Sequence, residues 1–319
     1  MSTAKTPAPR RPVRCRNYRT CLSTFSAFIL CSLFLMVSPG SVWAQDFVSP
    51  TRIAHGVAAG EILVSDWRLQ AIVSWKPGTK RKAKTIPVPG RPVSVAYGWD
   101  RYFVGNESTW TVDVIDKKGR LLYTLGDDFL IQRPSDIAVD IDQELVFVTD
   151  PKNARVLKFH RDGALLSTLP AAGQPSLNMP TGITVDPVRG EVLVSDFNLY
   201  GDASVKIYDY SGVLRATIDG NAGCGWFSCN TGPGNFSRPQ GLAVNEQGYI
   251  YVVDSLRGQV LVFDRETLRS VDVIGVQGTG PDDLLLPLDV LIEPKSKDLY
   301  VTSNRNRRVQ VFSGKGLLP

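Results

Sequence analysis

Asp136 and Asp289 occupy one repeated position, two residues after a proline, where other repeats carry Ser94, Gly182 and Gly241. Two carboxylates among small residues could bind a cation. Close packing explains the glycines without any ligand. A second set lies on short segments between apolar runs: Trp67, Arg68, Trp110, Arg155, Tyr200, Arg257, Arg305 and Arg307. Exposed Trp, Tyr and Arg on loops are the residue types of binding hot spots. The basic members suit an acidic or carboxylate-bearing partner. A third set is Asp66, Asn106, Asp150, Asp196, Asp254 and Ser303, one per repeat. A carboxylate there can accept backbone N–H bonds in the turn that follows. A group repeated in every unit is architecture rather than one active site. Enzyme signatures are sparse. His55 and His160 are isolated, so no metal cluster is visible. Asp140-Ile141-Asp142-Gln143-Glu144 lacks the glycine and length of a calcium loop. No Gly-x-Ser-x-Gly elbow is present.

The elements that must hold these residues recur. The polar positions Asp66 to Ser303 are separated by 40, 44, 46, 58 and 49 residues. Each is followed by a large apolar residue: Trp75, Ile115, Phe159, Tyr208, Phe263 or Phe312. The offset is nine, except twelve in the fourth unit. Such fixed-period self-similarity marks an array of like units. Within a unit the apolar period is two, so the elements are strands. The third unit predicts strands at Ile137–Val139, Leu145–Thr149, Val156–Phe159 and Leu165–Leu169, with a turn at Asp162-Gly163. Four short strands, a turn and repetition describe a blade. The expected fold is all-β: a six-bladed β-propeller of four-stranded antiparallel blades. The units run 51–90, 91–131, 132–178, 179–236, 237–284 and 285–319. The last lacks a fourth strand after Phe312. Asp46 to Pro50 is therefore expected to pair beside its third strand, so that the N-terminal strand of the mature chain closes the ring. Strands a to d run outward, which puts the b–c turns and the d–a linkers on one face.

Residues 1–44 read as a signal peptide and 45–319 as the propeller. Lys5, Arg10, Arg11, Arg14, Arg16 and Arg19 precede a 16-residue apolar run from Leu22 to Val37. Val42-Trp43-Ala44 offers a cleavage site before Gln45. An uncleaved membrane anchor is the alternative. The segment carries six of the 36 basic residues and none of the 31 acidic ones, so the remainder is near −1. A general nucleic-acid affinity loses its electrostatic support. Of five cysteines only Cys224 and Cys229 remain. In an oxidising compartment they are expected to form a small loop disulfide.

Pro-x-[Asp/Gly]-Ile-x-Val-Asp, a second strand ending in Asp, Arg-Val-x-x-Phe and a closing Gly together resemble the NHL repeat. Thr231-Gly232-Pro233-Gly234-Asn235-Phe236-Ser237-Arg238-Pro239 is similar to that family's Gly-rich linker. The resemblance is strong in units three, five and six, and weak in one and two. It implies a six-bladed propeller used mostly as a binding platform, with a minority of related enzymes. The lyases among them depend on a histidine-rich metal site, which this chain cannot supply. Related lactonases hold an axial metal, for which Asp136 and Asp289 would be the obvious carboxylates. The leading expectation is an exported, periplasmic or extracellular, non-enzymatic propeller. It would bind an envelope protein or acidic ligand through one loop face, with no cofactor, no nucleic acid and no membrane span after cleavage. The alternative is a metal-dependent lactonase-like hydrolase.

Overall fold

Each repeat proline starts or just precedes an innermost strand, and the β-branched run behind it pairs with the next strand. The computed structural model describes residues 47–79, 83–126, 130–198, 203–219 and 235–314. Their strands form six antiparallel sheets, each ordered as in the chain. Blade one contains β1 (Pro50–His55), β2 (Ile62–Asp66), β3 (Ala71–Trp75) and β4 (Lys84–Pro87). Blade two contains β5 (Pro92–Gly98), β6 (Arg101–Asn106), β7 (Thr111–Asp116) and β8 (Leu121–Leu125). Blade three contains β9 (Ile137–Asp140), β10 (Leu145–Asp150), β11 (Arg155–His160) and β12 (Leu165–Leu169). Blade four contains β13 (Pro180–Asp186), β14 (Glu191–Asp196), β15 (Ser204–Asp209) and β16 (Leu214–Asp219). Blade five contains β17 (Pro239–Val244), β18 (Tyr249–Asp254), β19 (Gln259–Asp264) and β20 (Ser270–Ile274). Blade six contains β21 (Pro287–Ile292), β22 (Leu299–Ser303) and β23 (Arg308–Phe312).

The spacing of nine is a consequence of the central hairpin. Trp75 lies opposite Ile62, Phe159 opposite Val146 and Phe263 opposite Ile250. In blade four the longer β14–β15 connection moves Tyr208 to offset twelve, yet it still lies opposite Val192. These residues build the core, which sits between blades. Six apolar clusters fill the six junctions, and Phe147, Phe159 and Tyr208 are among the largest fully buried side chains. A single blade is apolar on both faces and is stable only when each face is covered by a neighbour.

The polar residue ending the second strand ties the turns together. Asp66 accepts N–H bonds from Val48 and Ser49 in the linker, and from Arg68 and Leu69 in the turn. Asp150, Asp196 and Asp254 hold the equivalent linkers, Asn106 does so by accepting from Arg91 and donating to Pro89 O, and Ser303 by bonding Leu285 alone. The next residue donates its N–H to the carbonyl before the repeat proline, as in Trp67 to Ser49 and Ser255 to Arg238. In blade three that residue is Pro151, which has no N–H to give. The b–c turns and d–a linkers therefore share one face, as expected.

Closure of the ring by the expected strand is not seen among the described residues. The sixth sheet has three strands among the described residues, and nothing from Phe47 to Ser49 pairs beside β23. Those residues are the linker into blade one, and Pro50 is that blade's repeat proline. Phe47 stands three residues before its proline, as Ile131, Leu177, Phe236 and Leu284 do, and all five are buried. Phe47 packs with Leu291, Tyr300 and Val309 of blade six and with Trp75 of blade one. Asn304 donates to Pro50 O (2.9 Å), and Thr302 donates to Thr51 O (2.8 Å). The first and last blades are thus joined by side chains.

Candidate functional site

The axis is built from the residue two places after each repeat proline. The innermost strand shifts register there in most blades, leaving one N–H out of the ladder. A hydroxyl near the end of the second strand accepts it. Ser65 Oγ takes Arg52 N–H (3.0 Å), Thr149 Oγ1 takes Asp136 (2.9 Å), and Thr302 Oγ1 takes Asp289 (2.9 Å). Blade two reverses the pair. Ser94 is axial, and a Cβ on Gly105 would lie 2.2 Å from its Oγ. The axial glycines are required by contact: a Cβ on Gly241 would lie 1.8 Å from Asp289 Oδ1, and one on Gly182 2.1 Å from Gln240 O.

The sixth member of this ring is Arg52. Sequence reasoning missed it because Pro50 had been assigned to a closing strand. Its side chain crosses the axis and is 5% exposed. Nη1 donates to Leu288 O (2.7 Å), Nε to Ser135 O (3.4 Å), and Nη2 to Thr181 O. Asp136 Oδ2 stands 3.6 Å from Nε and Asp289 Oδ1 3.9 Å from Nη1. The carboxylates also accept backbone bonds, Asp136 from Ile137 and Ile183 and Asp289 from Ile53. One guanidinium from blade one thereby joins blades three, four and six. Burial pushes both carboxyls above their ordinary range, and Arg52 opposes the shift. For Asp289 the charge of Asp136 adds to burial, and the pKa is pushed up to about 8.

The structure brings Asp136 and Asp289 together, as the repeat position implied. It also sets a cation between them that the sequence reading lacked. A divalent metal needs several oxygen or nitrogen donors free of competing positive charge. Here the guanidinium already stands within reach of both carboxylates. Among the described residues no group of three His, Cys, Asp or Glu is placed to hold a metal ion. The axial residues do not fit a catalytic divalent cation.

The loop face divides the remaining candidates. Trp67 is half-buried: Arg91 lies over its ring at 4.6 Å, and its indole N–H donates to Glu107. Arg155 reaches Leu130 O and Asp150, and Arg257 reaches Ser237 and Asp254, so both brace their turns. Arg68, Arg305 and Arg307 are exposed, and Trp110 is 42% exposed. Arg91, Arg133 and Arg238, each just before a repeat proline, are exposed on the same face. Their spacing relative to the proline was available in the sequence. Tyr200, Cys224 and Cys229 lie outside the described residues, as does the cleavage site before Gln45.

Residues 236–263 match the model of the NHL repeat. That match falls on a blade whose hairpin, closing aspartate and linker recur around the ring. The chain is a six-bladed propeller that carries an NHL repeat. Solved structures that the propeller resembles include a protein of unknown function from Bacteroides thetaiotaomicron, with TM-score 0.63 and 18% identity, covering 84% of this chain and 70% of that one. Hydrazine synthase of Kuenenia stuttgartiensis aligns with TM-score 0.60 and 14% identity, over 84% and 96%. A gluconolactonase of Xanthomonas campestris aligns with TM-score 0.64 and 14% identity, over 86% and 88%. At these identities the likeness is one of fold. No curated protein matches the chain in sequence.

Proposed function

We propose that this NHL propeller is an exported, non-enzymatic binding module that takes an acidic protein or other acidic envelope ligand on its b–c turn face. The observation that carries the reading is the set of exposed arginines Arg68, Arg91, Arg133, Arg238, Arg305 and Arg307 around one end of the axis. They stand on turns and linkers braced by the strand-end residues Asp66, Asn106, Asp150, Asp254 and Ser303, so little order is lost on binding. Their long-range field favours an anionic partner and speeds its encounter. The basic n-region and the Val42-Trp43-Ala44 site support export.

The test compares the parent with an Arg305→Glu/Arg307→Glu variant. Affinity for a fluorescent oligoglutamate peptide, and capture of partners from envelope extract, should fall about tenfold or more in the variant. Its melting temperature should hold, because exposed substitutions cost within about 0.5 kcal/mol. Equal binding by both proteins would remove the loop face from the reading. Lactone hydrolysis lost in Asp289→Asn would put the channel hydrolase in its place.

A further inference from the structure

The end of the axis opposite the b–c turns opens into a funnel of about 440 Å³. Its first ring holds one aliphatic residue from every blade: Ile53, Val95, Ile137, Ile183, Leu242 and Val290. The next two residues of each innermost strand widen it, and Ile141 and Pro187 stand at the mouth. The floor is made by Asp136 and Asp289. Behind them Arg52 spans the axis, so the funnel is blind.

The charges at the floor do not balance. Two carboxylates face one guanidinium, and three of the five N–H groups of that guanidinium are engaged by carbonyls. The other titratable residues of the lining lie further along their strands, each three residues beyond an axial position. His55 and Tyr97 line the mouth, with Glu293 acting on His55 and the Tyr97 hydroxyl donating to Asp100 (2.7 Å). The floor is therefore short by one positive charge, which a proton or a ligand must supply. Aliphatic walls disfavour a small hydrated ion, because they replace none of its water. A cation carried on an apolar chain offsets that loss by burying the chain.

We propose that the funnel binds a slender apolar molecule ending in a primary ammonium. The ammonium sits on Asp289 and Asp136, and the chain lies along the aliphatic rings. This inference is independent of the loop face. The ammonium takes the place of the proton that buried Asp289 otherwise carries, its pKa being pushed up to about 8. Binding near pH 7 therefore releases close to one proton, and affinity rises as pH approaches 8.

The probe is n-hexylamine, titrated calorimetrically into the purified full chain beside n-hexanol and hexanoate, in two buffers of different ionisation enthalpy. Hexylammonium should bind about tenfold or more tightly than hexanol, hexanoate should not bind, and the buffer difference should report release of roughly one proton. In Asp289→Asn, checked for folding by its melting curve, the preference over hexanol and the proton release should both vanish. The proposal is overturned if hexanol binds as well as hexylamine. It is also overturned if no saturation is seen up to about 10 mM, within which a seven-atom ligand of ordinary efficiency should register. Undiminished preference in a folded Asp289→Asn protein would place the ammonium elsewhere and overturn it as well.

Discussion

Arg52 shows how much one side chain can hold. It is buried, it donates to carbonyls on three other blades, and it offsets two carboxylates. Replacing it by methionine leaves those carboxylates without a cation, and removing one partner of a buried pair costs about 3–5 kcal/mol. Urea denaturation of Arg52→Met should show that loss, whereas Arg68→Met should change little. The pH response follows from the same group. The folded-state pKa of Asp289 lies above its unfolded value, so the folded chain binds more protons between about pH 4 and 8. Stability should fall as pH rises through that window and level off above it. Asp289→Asn should flatten the profile of melting temperature against pH. An unchanged slope in that variant would assign the dependence to other groups.

Within a blade, the strand-end aspartate does for the loops what a cap does for a helix. The Asp150 carboxylate accepts from Gln132 and Arg133 in the linker and from the Asn153 side chain in the turn. Several charge-assisted bonds are lost together in Asp150→Ala, and about 2–3 kcal/mol of destabilisation is expected from thermal or urea unfolding. Asp150→Asn should cost less, since blade two uses Asn106 at this place, accepting Arg91 N–H and donating to Pro89 O. The same reasoning explains why many arginines on these turns are structural. Arg155 and Arg257 lie beside the aspartate, whereas Arg305 and Arg307, in the blade that ends its second strand in Ser303, are exposed.

At the scale of the whole ring, closure depends on the junction between blades six and one. No fourth strand covers β23 among the described residues, and Phe47, the Asn304 bonds and Arg52 cross that junction. Phe47→Ala removes a buried aromatic plug and should cost about 3–4 kcal/mol. Phe236→Ala, the same plug between blades four and five, is the control. Comparable losses, each in a single cooperative transition, would show that the ring unfolds as one unit. A small loss at Phe47 alone would show that the first junction is held by something else.

The sequence by itself determined the repeat, the blade and its hairpin register, because period-two patterning and a fixed offset between facing residues are local properties of a chain. It also determined the role of the strand-end aspartate, since a carboxylate before a tight turn finds its N–H donors within a few residues or in the adjoining linker. The tertiary structure alone decided what lies on the axis. The six residues there are some 40 or more positions apart in the chain, and only ring closure makes them neighbours. Two carboxylates read one at a time suggested a cation site. The arginine from the first blade, 237 residues before Asp289, already stands between them. Pairing of an exposed-looking basic residue with a buried acid across such a separation leaves no local signal, because it is fixed by the geometry of the ring and not by the neighbours of either residue.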